Sequence, residues 1–526
     1  MTRPPPAGSA TDFAVAADRR QSATGTVVGW ALAVCGGGLV LSGLVDIVER
    51  ADDTVTLLVL GTVVLAVGVM LRRAVSMPDR VPPRAALRSV IVAAVAMISV
   101  SAVAYLVTDT IQGIDDALFE STAGFSTTAL TAIADVEAVD PGMLFWRALT
   151  QWLGGFFALA TIVAVLPFLG VGGPQPSGVA APVGAKHLLS SHVRRLLTGY
   201  FHLYLGLTSV GFVMFLAGGM GPFDAITYSF TTISTGGFAN HDQSFAHFQS
   251  ATIEWLGVGG MLLGGLSLPL AWRALRGRGR SSIRSTELIV YVGLVAGTTT
   301  VLALTTDAGG WHDTIRASAF TAASAVSTTG HWVTDWTGWA PGPQMLLLVL
   351  IGVGSMSGSL GGGFRIVRAM ALVSYVRREL LRQLLPRSIH PVRVGRQVID
   401  EETTDRMVGY QVLFIGTAAV GFFAIALAGT DLVTALSASV SALATFGPAL
   451  GALAPGTPLT EASDWILLVL MGLMFAGRVE LYPVLNAVVS VVTAPRRLLR
   501  GREQSRQRRR LRDSGPRRGG DAGARR

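Results

Sequence analysis

Long and short apolar runs alternate along this chain, and the two lengths predict different elements. Thr26–Val48, Val55–Leu71, Ala86–Val107, Leu197–Leu216, Glu287–Leu304 and Met407–Ala428 are mostly apolar. Each has the roughly 17–23 residues that cross a bilayer at 1.5 Å rise per residue, so each predicts a spanning helix. Asp116–Phe125, Asp224–Ile233, Asp313–Val326 and Asp431–Leu443 are too short to cross. Each is entered through an aspartate, which favours a helix N-terminus by capping and by the helix dipole. These four predict re-entrant helices. A Thr-rich turn follows each, then another apolar run: Met143–Leu169, Ile253–Trp272, Gln344–Ser374 or Trp465–Val492. The pattern predicts four copies of one helix, re-entrant helix, turn and helix unit, plus two N-terminal helices, ten spans in all.

The turns share a register. They read Thr127-Thr128-Ala129, Thr235-Gly236-Gly237, Thr328-Thr329-Gly330 and Thr445-Phe446-Gly447, and twelve residues before each last position stands Ala117, Ala225, Ser318 or Ala435. Unpaired backbone at membrane depth costs several kcal/mol per group unless it is buried in protein or lines water. The turns are therefore expected to line a cavity, although Thr- and Gly-rich extracellular loops between ordinary helices would share their composition. One Thr-x-Gly carries no weight; four in register do. Rings of carbonyls from four equivalent loops can replace the water of a potassium ion without adding full charge. Glycine opens backbone conformations closed to other residues, and the threonine two positions earlier, recurring as Thr127, Thr235, Thr328 and Thr445, adds a carbonyl and a hydroxyl. The re-entrant helices would aim their negative C-terminal ends at the centre, which favours a cation. Ala129 departs from the pattern: it stands where the other turns have glycine.

Composition supports the membrane reading, with 50 % hydrophobic and 14 % charged residues. The net charge of +9 would suit nucleic acid, but its placement argues otherwise. Arg72, Arg73, Arg80, Arg84 and Arg88 share one loop, Arg273, Arg276, Arg278, Arg280 and Arg284 another, and Arg377, Arg378, Arg382, Arg387, Arg393 and Arg396 a third. The intervening loops Asp46–Asp53, Thr108–Asp116 and Leu304–Asp313 are acidic. This bias puts both termini in the cytoplasm and the chain in the plasma (inner) membrane, and the even span count agrees. The first apolar run is too long, and without a cleavage site, for a secretory signal, so it is expected to remain as an anchor. The basic tail is read as touching anionic lipid, with no nucleic-acid partner. Cys35 is the single cysteine, which excludes an internal disulfide and any cysteine-based metal site. The expected organisation is a disordered cytoplasmic N-terminus (1–23), two N-terminal transmembrane helices (24–75), units at 86–175, 195–275, 285–380 and 405–493, and a disordered basic cytoplasmic tail (494–526).

Several stretches carry a family likeness. Phe119–Thr128 (FESTAGFSTT), Leu144–Gly155 (LFWRALTQWLGG) and Leu166–Gly173 (LPFLGVGG) resemble the TrkH/KtrB/HKT superfamily of potassium and sodium transporters, most closely its TrkH branch. Ser234–Asp242 (STGGFANHD), Gly358–Arg365 (GSLGGGFR), Gly447–Gly451 (GPALG) and Gly477–Glu480 (GRVE) extend the likeness across roughly Ala86 to Val492. The resemblance implies an all-α membrane protein in which four pseudo-repeated units surround one pore, with two such chains forming a homodimer. It implies that Thr127, Thr128, Ala129, Thr235, Gly236, Gly237, Thr328, Thr329, Gly330, Thr445, Phe446 and Gly447 form a selectivity filter for K⁺. In the family a small residue in place of the first filter glycine goes with weaker exclusion of Na⁺, so Ala129 leaves open a Na⁺-permeable or poorly selective transporter.

Gly352, Gly354, Gly358, Gly361, Gly362 and Gly363 interrupt the apolar run after the third turn. The resemblance implies that Gly358, Gly361, Gly362 and Gly363 belong to an intramembrane gating loop under the filter; close helix packing through small residues is the simpler reading. Arg365 and Arg368 follow at the inner end, where snorkelling towards lipid is an equal reading. Arg478 stands inside the last apolar run, where a charge costs about 2.5–3.5 kcal/mol on insertion scales. It is expected to touch the glycine loop as part of the gate, with pairing to Glu480 as the alternative. Glu120 and Arg147 are expected to be structural and could form a buried ion pair, and His331 to edge the outer mouth. A secondary transporter of inverted repeats is the remote rival reading.

Enzyme readings find no support. Gly170–Pro174 lacks the Gly-Lys-Ser/Thr of a phosphate loop, no metal-type His pair is apparent, and no stretch is long enough for a nucleotide domain. No covalently bound cofactor is expected, the transported ion being K⁺ or Na⁺. The resemblance implies that regulation comes from a separate cytosolic nucleotide-binding subunit of the TrkA/KtrA type.

Overall fold

The computed structural model describes residues 20–78, 81–164, 191–278, 285–385, 390–395, 397–460, 462–482 and 484–485. The predicted N-terminal extension up to residue 19, the Leu166–Gly173 motif, Arg80, Arg280, Arg284, Arg387, Arg396 and the basic tail lie outside them. Residues up to Leu481 form one compact unit, with Tyr482 onward assigned to another.

Among the described residues the compact unit is all-α apart from two pairings of two-residue strands. Helices α1 (Ala23–Glu49) and α2 (Thr54–Ala74) form an N-terminal hairpin. Four units follow. The first is α3 (Pro83–Val107), α4 (Ile114–Ser126) and α5 (Pro141–Ala164). The second is α6 (Ser191–Ala217), α7 (Pro222–Ile233), α8 (Ala251–Gly264) and α9 (Leu268–Arg273). The third is α10 (Thr286–Thr305), α11 (Trp311–Ser327), α12 (Pro341–Val353) and α13 (Ile366–Leu384). The fourth is α14 (Glu401–Ala426), α15 (Leu432–Leu443) and α16 (Asp464–Val479).

Six helices among the described residues, α1, α2, α3, α6, α10 and α14, are long and apolar enough to cross a membrane. They match the six long runs. The helices after the turns are less regular than expected. The predicted single run Ile253–Trp272 is instead α8 and α9, bent by 87°. Ser267 and Pro269 stand at this break, with Pro269 in the first turn of α9, where a missing N–H is tolerated. The run Gln344–Ser374 is likewise two helices, α12 and α13, separated by the glycine segment.

Helix α2 shows why such helices are stable in lipid. Val55, Val59, Val63, Val67 and Met70 form an exposed stripe at helical spacing. The opposite side packs on α1 and α3. Helix α1 in turn packs on α5, where Gly38 lies against Trp146, and Gly142 N–H at the start of α5 donates to buried Asp46 Oδ1 at 2.5 Å. The N-terminal hairpin therefore buttresses the first unit.

The short helices α4, α7, α11 and α15 have 13, 12, 17 and 12 residues. Their aspartates act in two ways. Asp431 is a true N-cap, its Oδ1 accepting from the N–H groups of Val433 and Thr434 at 3.0 Å each. Asp116, Asp224 and Asp313 instead sit in the first turn behind a glycine N-cap. There the helix dipole, rather than a cap bond, is the favourable term.

Candidate functional site

A threonine in the left-handed conformation closes each short helix, as the C-cap in the first and third units and one residue past it in the second and fourth: Thr127, Thr235, Thr328 and Thr445 have φ of 54°, 56°, 56° and 53°. For a β-branched residue this is an outlier, with a cost of order 1–2 kcal/mol. Strain repeated at one register position in four units is imposed by the surroundings. The Thr127 and Thr445 hydroxyls are buried and have no hydrogen-bond partner among the described residues. By contrast Thr235 Oγ1 donates to its neighbour Ser234 O, and Thr328 Oγ1 donates to Ser327 O.

The last residues of the four turns converge on one place. A Cβ built on Gly330 would lie 2.5 Å from Ala129 Cβ, one on Gly237 2.6 Å from it, and one on Gly447 2.5 Å from the Ala129 carbonyl carbon. Gly237, Gly330 and Gly447 have φ of 81°, 87° and 112°, whereas Ala129 is not left-handed. The alanine is accommodated by a different backbone conformation, with its methyl in space that the glycines leave free. Ala129 N–H donates across to Phe446 O at 3.2 Å. Outside the turns, Ala129, Gly237, Gly330, Arg147, Trp332 and Pro448 line an open cavity.

Small residues set the turns against the following helices. A side chain at Gly154 would strike the Phe125 carbonyl, one at Gly477 the Leu443 carbonyl, and one at Gly264 would lie 2.8 Å from Ile233 O. These carbonyls end equivalent short helices in the first, fourth and second units. In these three units the glycines thus allow the following helix to touch the C-terminal end of the short one.

Of the braces on the turns, the Glu120–Arg147 pair is one the sequence allowed, whereas the Gln151 bridge and the serine latches are not expected from it. Gln151 on α5 bridges two of them: Nε2 donates to Gly236 O at 2.9 Å and Thr128 O at 3.4 Å, and Oε1 accepts from Phe238 N–H at 3.0 Å. Glu120 and Arg147 form a buried ion pair at 2.8 Å, and Glu120 Oε2 also accepts from Thr131 Oγ1 and Ala132 N–H. Ser324 and Ser441 occupy matching positions in the third and fourth units and accept from Gly330 N–H and Gly447 N–H. His331 is buried rather than at the rim, 3.1 Å from Thr232 Oγ1.

On the other side of the turns lies the glycine segment between α12 and α13. Gly362 N–H donates to Thr328 Oγ1 at 2.7 Å, and a Cβ there would strike the Ala444 carbonyl and Thr445 hydroxyl. A Cβ on Gly361 would lie 2.6 Å from Ser327 O. Gly358 and Gly363 have φ of 74° and 75°, so the path of the segment depends on them. Arg478 Nη1 donates to Leu360 O at 2.6 Å, and its Nε and Nη2 have no hydrogen-bond partner among the described residues. Glu480 does not pair with Arg478. It holds Arg368 at 3.1 Å and Arg365 at 3.7 Å, and both arginines are buried, which replaces the snorkelling reading.

Four pseudo-equivalent helix, short-helix and helix units whose turns meet at one place define a multi-pass membrane protein of the four-unit pore-loop class. A profile of the TrkH family, described as "Cation transport protein", matches residues 61–289 and 282–496. The chain belongs to this family. It is 31 % identical over 379 residues to the Trk system potassium uptake protein TrkH of Halomonas elongata, covering 70 % of this chain and 77 % of that one. Against the TrkH of Escherichia coli K12 the identity is 30 % over 379 residues, covering 71 % and 78 %. The crystal structure of the potassium transporter TrkH from Vibrio parahaemolyticus superposes with a TM-score of 0.80 at 25 % identity, covering 88 % of this chain and 98 % of that one.

Proposed function

We propose that this chain takes up K⁺ across the plasma membrane through a gated pore, the ion moving inward down its electrochemical gradient. The observation that carries the reading is the left-handed threonine repeated in all four turns, with two of its hydroxyls buried and unpartnered. Such strain and such orphaned oxygens have a purpose if a dehydrated cation is their partner. The negative ends of the four short helices face the same place and favour positive charge. The relatives' names as potassium uptake proteins point the same way. In this reading Thr127–Ala129, Thr235–Gly237, Thr328–Gly330 and Thr445–Gly447 are the filter, and no enzymatic step is involved.

The segment containing Gly358, Gly361, Gly362 and Gly363 is the gate, closed against the inner side of the third and fourth turns and held by Arg478 through Leu360 O. Its opening depends on a cytosolic nucleotide-binding subunit of the TrkA/KtrA type docked on basic loops such as that carrying Arg72 and Arg73. Both termini are cytoplasmic, two chains form a homodimer, lipid is the other partner, and nucleic acid is not one.

Proteoliposome uptake with K⁺, Rb⁺ and Na⁺ in competition tests the reading. K⁺ and Rb⁺ are expected to enter in preference to Na⁺. Equal uptake of all three, with K⁺ preference restored by Ala129→Gly, would instead support a poorly selective cation transporter, the reading favoured by the different backbone at Ala129. Arg478→Ala is expected to raise flux in the absence of the regulatory subunit. Unchanged flux and unchanged regulation in that variant would remove Arg478 from the gate.

A further inference from the structure

The outer loops of the first and second units bring together three side chains that neither the pore nor the gate uses. Glu137 follows the first turn, and His241 and His247 follow the second. Their ligand atoms all lie within 4.8 Å of one another. Glu137 Oε1 is 3.3 Å from His241 Nδ1 and 3.7 Å from His247 Nδ1. Ligand atoms around a tetrahedral zinc ion stand roughly 3.3 Å apart, given metal–ligand distances near 2.0–2.1 Å. Glu137 Oε1 therefore already stands near that spacing from each of the two imidazole nitrogens.

The surroundings orient these groups. Asp224 Oδ2 lies 3.4 Å from His241 Nε2, and Asn240 Nδ2 donates to Asp224 Oδ1 at 2.8 Å. A carboxylate on one imidazole nitrogen fixes the tautomer that leaves the other nitrogen's lone pair free, an arrangement that accompanies metal-binding histidines. Among the described residues the group that faces His241 Nδ1 is Glu137 Oε1, 3.3 Å away. The two imidazole rings are stacked, parallel within 5° with centroids 3.5 Å apart, and Phe248 meets both edge-on; because an imidazole binds a metal in its own ring plane, the half-exposed His247 ring has to turn out of this stack to share an ion with His241. Val136 N–H donates to Asp242 Oδ1 at 3.0 Å, which fixes the turn carrying Glu137 beside the histidines.

We infer that Glu137, His241 and His247 form an extracellular site for a divalent transition metal of the zinc class. Two imidazole nitrogens and one carboxylate oxygen suit Zn²⁺, Co²⁺ or Ni²⁺ and suit Ca²⁺ or Mg²⁺ poorly. Glu137 and His247 are half-exposed, so a metal arriving from outside can reach them, and the fourth position is left to water. An ion there would join the loop after the first turn to the loop after the second, beside the cavity over the filter.

The inference goes beyond K⁺ uptake and is tested without it. The purified full-length chain, with any affinity tag free of histidine, is titrated with Zn²⁺ against a chromophoric chelator in the presence of excess Mg²⁺ and Ca²⁺. One Zn²⁺ per chain is expected, with affinity lowered at least about tenfold by His247→Ala and by Glu137→Gln and unchanged by His312→Ala, an exposed histidine elsewhere. Co²⁺ in place of Zn²⁺ is expected to show visible absorption in the parent that His247→Ala removes. Thermal unfolding checks that the variants fold. No Zn²⁺ bound by the parent, or binding and Co²⁺ absorption that persist in folded His247→Ala, would overturn the assignment.

Discussion

The first and third turns begin alike and end differently. In both, the left-handed threonine follows a serine whose hydroxyl bonds the hydroxyl two residues on: Ser126 to Thr128 at 2.8 Å and Ser327 to Thr329 at 2.6 Å. The next N–H bonds back into the helix at 2.9 Å in each, Thr128 to Ala123 O and Thr329 to Ser324 O. The match then stops. Gly330 turns left-handed, and Ser324 receives its N–H at 3.1 Å while donating to His331 O at 2.7 Å. In the first turn Ala123 stands where Ser324 does and has no hydroxyl, so the turn is held from outside, by Gln151, by the Glu120–Arg147 pair and by Phe446 O. A turn latched by its own helix needs glycine at its end, whereas one braced by its neighbours tolerates alanine.

The largest effect should come from moving the alanine to the wrong turn. Gly330→Ala puts a Cβ on a backbone with φ of 87°, against the Phe446 carbonyl and 2.5 Å from Ala129 Cβ. The left-handed penalty alone is about 1–2 kcal/mol, and the clash adds to it. Rb⁺ uptake is expected to fall at least about tenfold, the equivalent of roughly 1.4 kcal/mol. Ala129→Gly should retain uptake. If Gly330→Ala transported normally, the asymmetry of the turns would have no functional weight.

Next comes the brace. Gln151→Leu keeps approximate volume but leaves Gly236 O, Thr128 O and Phe238 N–H without their partner. Each buried group left unpaired costs about 1–3 kcal/mol. A clear drop in thermal stability in detergent and reduced uptake are expected, both larger than for loss of a single latch in the third turn. Equal effects would mean that the two turns are held alike after all.

The turns and their register were legible because the unit is local: a short apolar run, an acid at its start and Thr two residues before its end lie within a few turns of chain. The left-handed strain was not, since threonine gives no sign of it and only packing imposes it. The break between α8 and α9 had a signal in Pro269, outweighed by the continuous apolar run around it. The pairing of Glu480 with Arg368 and Arg365, the bridge from Gln151 and the meeting of Glu137 with His247 join distant stretches of sequence, and no local pattern encodes such contacts. The likeness to a family supplied the gate reading; what the residues alone offered was a run of glycines that close helix packing would explain as well.

The smallest effect should come from the latch itself. Ser324→Ala gives the third turn the residue that the first turn has at Ala123, removing one hydroxyl that accepts from Gly330 N–H and donates to His331 O. Gly330 N–H has no substitute comparable to the Gln151 bridge, so about 1–3 kcal/mol of local stability should be lost. Uptake should persist, because the other three turns and the left-handed Gly330 remain, while preference for K⁺ over Na⁺ should weaken as the carbonyls become free to move. Ser441→Ala, which frees Gly447 N–H in the same way, should behave alike. Unaltered selectivity in both variants, with Gln151→Leu still damaging, would shift the weight of the design from the latches to α5.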